Sequence, residues 1–391
     1  MKKIRICILL VLSIGFVACK QGTKGKENTK DTGHGVDHPL LETKTFDTVI
    51  NNKKVGLYWI KTDSIKAAFT NYGGRIVGLW VPDKNGNMTD VVVGFKDIAG
   101  YVHSTEPYFG ATIGRVGNRI AKGKFTLNGR KYNIPVNNGE NALHGGKKGF
   151  QDVVWSAEQP DGQTLILRYT SPDMEEGFPG NLKVKVTYAV TDDNRLKMKY
   201  EATTDKPTPV NLTNHAFFNL NGEGSGTVLQ HRVKFYADTF TPVDKGLIPT
   251  GEIRAVAGTP FDFTDFHTIG ERIEADNTQL KHGGGYDHNF VLNGTESRGM
   301  NHAATIIGDK TGITMNVYTE EPGIQFYSGN FMQGKNTFKS GVKDDFRTAF
   351  ALEPQHFPDA PNQPEFPSIT VQPGEKYHTV SVYRFSTETA K

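Results

Sequence analysis

Hydrophobic and polar residues alternate in short runs from about residue 44 onward, and turn residues separate the runs. Apolar residues at every second position predict β-strands that bury one face. A helical period of 3.6 residues is nearly absent and is suggested only near 96–102 and 269–275. The strongest strand predictions are 48–50, 55–60, 67–81, 125–127, 131–134, 182–190, 195–203, 228–240, 303–307, 313–319, 324–327, 368–371 and 379–385.

The turns between these runs favour antiparallel pairing. Asn128-Gly129 is typical of a two-residue hairpin turn, and 192–194 separates two long alternating runs. No Pro/Ser-rich linker divides 44–391, and no internal repeat is evident. The pattern therefore predicts one all-β domain over 44–391, a large antiparallel β-sandwich whose loops display the functional residues.

The first residues have the pattern of an export signal. Lys2, Lys3 and Arg5 precede an apolar run over 6–17, which is shorter than the run that a transmembrane helix needs to span the bilayer. The segment 16–19 (FVAC) resembles a bacterial lipobox, so 1–19 is predicted to be a lipoprotein signal peptide with Cys19 as the lipidated residue. A plain secretory signal is the alternative.

This leader predicts an exported protein with a membrane anchor, on the periplasmic or cell-surface side. Residues 20–43 are polar, Gly-rich and without periodicity in most of their length, which is typical of a flexible tether. Cys7 and Cys19 are the only cysteines, so the body contains neither a disulfide nor a thiolate. The formal net charge of +3 arises near the N-terminus, and the nearly neutral body gives no electrostatic case for nucleic acid.

The segment 211–222 (NLTNHAFFNLNG) is the strongest functional candidate. His215 lies between amide side chains and the aromatic residues Phe217 and Phe218. Amides bond hydroxyl groups, aromatic faces pack on C–H surfaces, and histidine moves protons near neutral pH, so this set suits a sugar. The alternative is a hairpin whose histidine is satisfied by the backbone.

Two further candidates lie in glycine-rich segments. Asn118 and Arg119 occur in 110–123 (GATIGRVGNRIAKG), where a guanidinium could hold hydroxyls or simply pair with a carboxylate across the sheet. His144 precedes two glycines that allow close approach of the backbone to a ligand.

Two carboxylates complete the set. Asp287 is favoured over His288 because neighbouring strand residues point to opposite faces, and His288 is expected to be structural. Glu353 could be a surface residue, but in a dry pocket desolvation would raise its pKa and make it a base near neutrality. No C-x-x-C, H-E-x-x-H or EF-hand pattern is present, so no metal is predicted.

At these residues the chain resembles the aldose 1-epimerases, also called galactose mutarotases. The resemblance covers most of 45–388 and includes, in order, YFGATIGRVGNRIAKGKF (108–125), NALHGGKKGFQDVVW (141–155), EGFPGNL (176–182), NLTNHAFFNLNG (211–222), GYDHNFVL (285–292), PGIQFYSGNF (322–331) and LEPQHFPDAPNQPEFP (352–367). It implies a galactose mutarotase-like supersandwich that interconverts the α and β anomers of free aldohexoses such as glucose and galactose, without cofactor or metal.

The resemblance also implies roles for individual residues. Glu353 corresponds to the catalytic base and acts as a carboxylate, and His215 corresponds to the catalytic acid and acts as an imidazolium. The positions that match sugar-binding residues are Asn118, Arg119, His144, Asp287 and Gln325.

Three alternatives remain at this stage. The nearest is a non-catalytic carbohydrate-binding lipoprotein, in which the acid and base positions would be replaceable. A glycoside hydrolase or lyase would need two carboxylates across a glycosidic bond, and only Asp287 and Glu353 are available. An epimerase of phosphorylated sugars would need a basic cluster, and none accompanies the motifs.

Overall fold

The computed structural model describes residues 41–294 and 299–388. Short strands dominate it, as the two-residue alternation predicts. The strands are β1 (Thr48–Ile50), β2 (Lys53–Val55), β3 (Leu57–Lys61), β4 (Lys66–Thr70), β5 (Arg75–Pro82), β6 (Met88–Asp90), β7 (Ala111–Ile113), β8 (Arg119–Ile120), β9 (Lys124–Leu127), β10 (Arg130–Asn133), β11 (Ala142–Leu143), β12 (Ser156–Glu158), β13 (Thr164–Ser171), β14 (Leu182–Thr191), β15 (Arg195–Thr204), β16 (Thr208–Pro209), β17 (Thr213–His215), β18 (Phe217–Phe218), β19 (Arg232–Phe235), β20 (Thr239–Thr241), β21 (Arg254–Ala255), β22 (His267–Thr268), β23 (Asp287–Val291), β24 (Asn301–Ile307), β25 (Ile313–Thr319), β26 (Gly323–Tyr327), β27 (Phe350–Gln355), β28 (Thr370–Val371) and β29 (Tyr377–Thr387).

Helices are short. The α-helices are α1 (Ile98–Val102) and α2 (Thr278–Gly283), and 3-10 turns occupy Thr43–Thr45, Ala121–Gly123, Phe150–Asp152, Glu175–Gly177 and Ala360–Asn362. In the described part of the chain, no helix has the length and apolarity needed to cross a membrane.

Three larger sheets carry the fold. The nine-stranded sheet has the order β12-β13-β14-β15-β29-β25-β24-β19-β22, the six-stranded sheet β18-β27-β26-β23-β20-β21, and the four-stranded sheet β3-β4-β5-β6. Each strand pair in these sheets is antiparallel, which confirms the predicted all-β antiparallel class. Five two-stranded ladders complete the structure.

The main hydrophobic core lies between the nine-stranded sheet and the two smaller sheets. Phe235 of β19 stacks on Phe290 of β23 with ring centroids 4.3 Å apart, and Phe69 of β4 lies 4.6 Å from Tyr188 of β14. Burying such rings from both layers stabilises the sandwich by roughly 1.5–3 kcal/mol for each large side chain. The protein is thus a β-sandwich whose largest hydrophobic cluster spans both layers, with smaller clusters beside it.

Strand alternation decides what the six-stranded sheet presents on its other face. In β27, Phe350 and Leu352 enter the core, so Glu353 points away from it. The cross-strand register places Gln325 beside Glu353, and Asp287 lies on the same face because it is two residues from Asn289, the partner of Gln325. A polar row therefore forms on the outer face of this sheet.

Several local predictions are confirmed. β9 and β10 form the hairpin expected around Asn128-Gly129, and both turn residues have positive φ as the tight turn requires. β14 and β15 pair along their whole length. The helix suggested near 96–102 is α1, which Asp97 caps by accepting a hydrogen bond from the backbone N–H of Gly100.

Other local predictions are wrong. The run 67–81 is two strands, β4 and β5, because the chain reverses at 71–74, where Gly73 and Gly74 have positive φ. The run 228–240 divides into β19 and β20, which belong to different sheets. The run 55–60 breaks at Gly56, and 269–275 forms turns, whereas α2 begins after the cap residue Asn277. Alternation of polarity alone does not reveal a reversal between two strands of similar pattern.

The predicted signal peptide (1–19) and residues 20–40 of the predicted tether lie outside the described residues. The described residues, 41–294 and 299–388, belong to one compact unit.

Candidate active site

Pairing of β8 with β11 brings two distant motifs together. Leu143 is opposite Arg119, and the backbone N–H of His144 donates to the carbonyl of Asn118 at 3.0 Å. Asn118 and His144 both adopt left-handed backbone conformations, with φ of 59° and 52°. Such conformations are unfavourable for most residues with a side chain and cluster at functional sites. Here they turn both side chains into one cavity.

The turn after His144 requires glycine. Gly145 has φ of 92°, and a Cβ atom there would lie 2.0 Å from the carbonyl oxygen of Gly114. The histidine ring itself is oriented by the backbone, since its Nδ1 accepts a hydrogen bond from the N–H of Asn118 at 3.2 Å. An acceptor at Nδ1 places the proton of the neutral ring on Nε2, which makes His144 a hydrogen-bond donor through that nitrogen.

His215 reaches the same cavity from β17. This strand pairs with β7, and His215 packs between Tyr108 and Phe217 with ring centroids at 5.8 Å and 4.8 Å. Its Nε2 lies 3.5 Å from Oε1 of Glu353, and the two side chains are 8% and 2% exposed. The structure therefore juxtaposes a buried imidazole and a buried carboxyl group at a distance that a bound hydroxyl could bridge.

Asp287, Gln325 and Arg119 form a linked polar group beside this pair. Gln325 donates through Nε2 to Oδ1 of Asp287 at 2.7 Å, and Nη1 of Arg119 lies 3.6 Å from Oδ2 of Asp287. Arg119 also donates through Nε to the side-chain oxygen of Asn138 at 3.1 Å. The carboxylate partner considered for Arg119 is present, and it is part of the site. His288 points away from it, fully buried against Gln279, as predicted.

These groups surround a cavity of about 270 Å³. Six of the seven residues named from the sequence line it, and Gln325 contacts it through Asp287. Tyr108, Phe217 and Tyr327 lie in the motifs that carried the family resemblance, but Glu106 precedes them and carried no sequence signal. Phe217 was named beside His215 as an aromatic residue suited to a sugar, and the residues that sequence reasoning did not assign to the site are Glu106, Pro107, Tyr108, Asn137, Asn138, Leu143, Tyr327 and Phe331.

Burial dominates the electrostatics of the acid–base pair. The pKa of Glu353 is raised well above its ordinary value by desolvation, with Asp287 adding to the rise and Arg119 opposing it. Desolvation, together with the positive charges of Arg119 and Arg75, lowers the pKa of His215 to about 3, against a backbone hydrogen bond that raises it. The elevated pKa predicted for Glu353 is therefore confirmed in direction.

The ionisation expected for His215 is corrected by this arrangement. With its pKa lowered, the ring of His215 is neutral, and the raised pKa of Glu353 favours the protonated carboxyl group. The physical reason is that neither charge is solvated in the cavity, whereas two neutral partners need no solvation. Burial also lowers the pKa of His144 and raises that of Asp287.

The same residues have the composition of a possible metal site. His144, His215 and Glu353 each offer one ligand atom, and these atoms lie within 4.8 Å of one another. Two imidazoles and a carboxylate suit Zn²⁺, but an ion would occupy the lone pairs that proton transfer needs. The sequence-based expectation of a metal-free site stays a prediction.

Fold and site together define a β-sandwich protein with a buried acid–base pair in a polar cavity whose side chains suit a sugar. The sequence model of the family described as aldose 1-epimerase matches residues 57–384. The chain belongs to this family.

Individual relatives agree. The galactose mutarotase of Bos taurus is 44% identical over 329 residues, covering 84% of this chain and 93% of that protein. The aldose 1-epimerase of Escherichia coli K12 is 37% identical over 320 residues, covering 81% and 91%. A crystal structure of an aldose epimerase homologue from C. elegans superimposes with a TM-score of 0.76 at 32% identity, covering 85% of this chain and 99% of that one.

Proposed function

We propose that this protein is an aldose 1-epimerase, an isomerase that interconverts the α and β anomers of free aldohexoses such as glucose and galactose. The observation that carries the proposal is the 3.5 Å separation of His215 Nε2 and Glu353 Oε1 within the polar cavity. The names and extent of similarity of the relatives support the same activity.

Ring opening of a cyclic hemiacetal needs one proton acceptor and one proton donor. The proton of the C1 hydroxyl is removed, the bond between C1 and the ring oxygen breaks, and a proton is delivered to the ring oxygen. Rotation about C1–C2 then presents the other face of the aldehyde. Reversal of the two proton transfers closes the ring as the other anomer, so protons and electrons balance without a covalent intermediate.

A pair that shares one proton supplies both functions. In the arrangement described above, Glu353 holds the proton and His215 is the neutral acceptor. Transfer of that proton to His215 gives the carboxylate–imidazolium form, in which Glu353 is the base and His215 the acid, as the family resemblance implies. Each positioned proton transfer contributes about 10²–10⁴-fold to the rate.

The remaining polar groups orient the sugar. Asp287, held by Gln325, accepts from sugar hydroxyls, and Arg119 and Asn118 offer donors. His144 donates through Nε2 because its Nδ1 is already used. Its low pKa keeps it neutral, so it polarises the reacting oxygen without competing for the proton of the catalytic pair.

The rival functions fit the cavity less well. A binding protein does not need a buried acid–base pair. Burial of ionisable groups lowers the stability of a fold, so such a pair is expected where the function requires it. A glycosidase would use two carboxylates across the scissile bond, and here Asp287 is committed to Gln325 and Arg119.

Polarimetry tests the proposal directly. Freshly dissolved α-D-glucose and α-D-galactose are followed with the protein lacking residues 1–19, beside Glu353→Gln and His215→Asn. Faster decay to the same equilibrium rotation, lost in both variants and insensitive to EDTA, supports a metal-independent mutarotase. Sugar binding without acceleration by folded wild type supports the carbohydrate-binding alternative.

The cellular location is a separate part of the proposal. The lipobox-like 16–19 segment supports an exported lipoprotein that is anchored through Cys19. Replacing Cys19→Ser should release the protein from the membrane fraction and abolish incorporation of labelled palmitate. Membrane association that persists in this variant would contradict the lipid anchor.

A further inference from the structure

Acidic groups outnumber basic groups around the sugar cavity. Glu106, Asp287 and Glu353 line it, together with the single guanidinium of Arg119. That guanidinium lies beside Asp287, at 3.6 Å. Asp287 and Glu353 already have roles in the proposed reaction, whereas Glu106 has none.

Glu106 is held in place by its own loop. Its Oε1 accepts a hydrogen bond from the backbone N–H of Tyr108 at 3.2 Å, and its own N–H donates to the hydroxyl of Ser104 at 3.1 Å. The preceding residue, Thr105, is tied to Asn336 by its backbone N–H at 3.0 Å. The carboxyl group is thus fixed at the cavity wall, and the residue as a whole is half-buried.

No cation neutralises this carboxyl group among residues 41–294 and 299–388. The charged and titratable groups that influence it from neighbouring elements are Arg75, Asp344, Glu353, Tyr108 and Tyr327. The guanidinium of Arg75 donates hydrogen bonds to three backbone carbonyl oxygens, those of Phe109, Pro107 and Gln151. Desolvation, with a contribution from Asp344, raises the pKa of Glu106 to about 7.

The nearby lysines belong to a different cavity. Lys122 and Lys245 line an adjoining cleft of about 580 Å³, which shares Arg119, Asn138 and Phe331 with the sugar cavity. Glu140 and Asp244 line this cleft as well and offset the two lysines. Among the described residues, no lysine lines the sugar cavity, and its guanidinium, that of Arg119, already lies beside Asp287.

We propose that Glu106 is a specificity-determining residue that selects against aldoses with an anionic group, such as uronates and sugar phosphates. This inference rests on the proposed mutarotase function and narrows its substrate class to aldoses without an anionic group. The carboxylate of Glu106 and an anionic group on the sugar would repel each other across the cavity, because the effective dielectric constant there is far below that of water. The expected discrimination from this charge is on the order of tenfold.

The sign of the pH dependence follows from the carboxyl group. Below about pH 7, Glu106 is mainly neutral and repels an anion weakly, and above this pH it is mainly ionised. A uronate keeps its own charge throughout this range. The preference for galactose over galacturonate should therefore increase as the pH rises.

The test compares kcat/KM for galactose and galacturonate by polarimetry between about pH 6 and pH 8, in the full chain without residues 1–19. Because Glu353 and His215 act on both sugars, their titration largely cancels in the ratio. Glu106→Gln retains an acceptor for the N–H of Tyr108 but cannot ionise. It should lower the ratio on the order of tenfold near pH 8 and remove most of its pH dependence.

Glu140→Gln is the matched control, since it removes one negative charge from the adjoining cleft and should leave the ratio unchanged. A ratio in Glu106→Gln equal to that of wild type would overturn the inference, as would a wild-type ratio near one at all pH values. Failure of wild type to accelerate even galactose would instead refute the proposed function, and the inference with it.

Discussion

Replacement of Glu353 by glutamine should abolish catalysis and stabilise the fold at the same time. The side chain is 2% exposed, and glutamine has nearly the same shape. The variant removes the ionisable group but retains a polar side chain beside Gln325 in the cross-strand register. Activity and stability therefore report on the same carboxyl group independently.

The loss of activity follows from the geometry of the pair. Glutamine cannot exchange a proton with His215 across the 3.5 Å gap, so one positioned proton transfer is lost. We expect kcat to fall about 10²–10⁴-fold, which corresponds to about 2.7–5.4 kcal/mol in the barrier.

The gain in stability follows from the raised pKa. At pH values below the ordinary pKa of 4.5, which applies to the unfolded chain, Glu353 is protonated in both the folded and the unfolded state. Its burial then has no effect on how the free energy of unfolding depends on pH. As the pH rises above this value, the unfolded chain releases the proton first, so the folded protein loses stability up to the folded pKa. Each unit of elevation corresponds to about 1.4 kcal/mol of unfolding free energy.

Urea unfolding at about pH 4 and pH 8, together with polarimetry, measures both effects. Glu353→Gln should match wild type in stability at the lower pH and exceed it at the higher pH. Glu321→Gln is a matched control, because Glu321 is also buried but pairs with His356 at 2.6 Å, so its variant should lose stability and keep activity. A Glu353→Gln variant that is less stable than wild type at pH 8, or fully active, would refute the reasoning.

Three further predictions concern charge. The pH profile of wild-type kcat should be bell-shaped, because activity requires that the pair of His215 and Glu353 hold one proton. Addition of a second proton, which the lowered pKa of His215 resists, sets the acidic limb. Loss of the proton from Glu353 sets the basic limb. A profile that stays flat through both limbs would contradict this. Asp287→Asn removes a negative charge that raises the pKa of Glu353, so the basic limb should move to lower pH while kcat/KM falls; an unchanged limb would show that Asp287 does not contribute to this pKa. Lys339→Met should lower the unfolding free energy by about 3–5 kcal/mol in urea denaturation, because it leaves Asp90 and Glu223 buried without the ammonium that lies 3.2 Å and 2.7 Å from them. A loss below 1 kcal/mol would show that water reaches these carboxylates.

The family resemblance pointed to the site residues, and for those that lie in longer strands the two-residue period also predicted the direction of the side chain. Alternation places Asp287 and Glu353 opposite their apolar neighbours, and the same rule assigns His288 to the interior. The hairpin at Asn128-Gly129 was equally accessible, because local backbone preferences decide such a turn. These are local properties, and local sequence determines them.

The limits of local patterning are visible in particular elements. The run 67–81 alternates throughout, yet it folds back at Gly73 and Gly74 to form two strands. Glu106 lies in a loop without periodicity, and only its tertiary position makes it part of the cavity wall. Neither feature is encoded by the spacing of polar and apolar residues.

The sequence by itself determined the class of fold, the polar strand face and the chemical identity of the candidate acid and base. Only the tertiary structure decided that His215 and Glu353 lie 3.5 Å apart, that Gln325 acts through Asp287, and that burial raises the pKa of the Glu353 carboxyl group. The reason is that protonation depends on desolvation and on charges contributed by segments far apart in the chain, such as Arg119 and Asp287 around Glu353. Periodicity determines the direction of a side chain, whereas its pKa is determined by everything that packs around it.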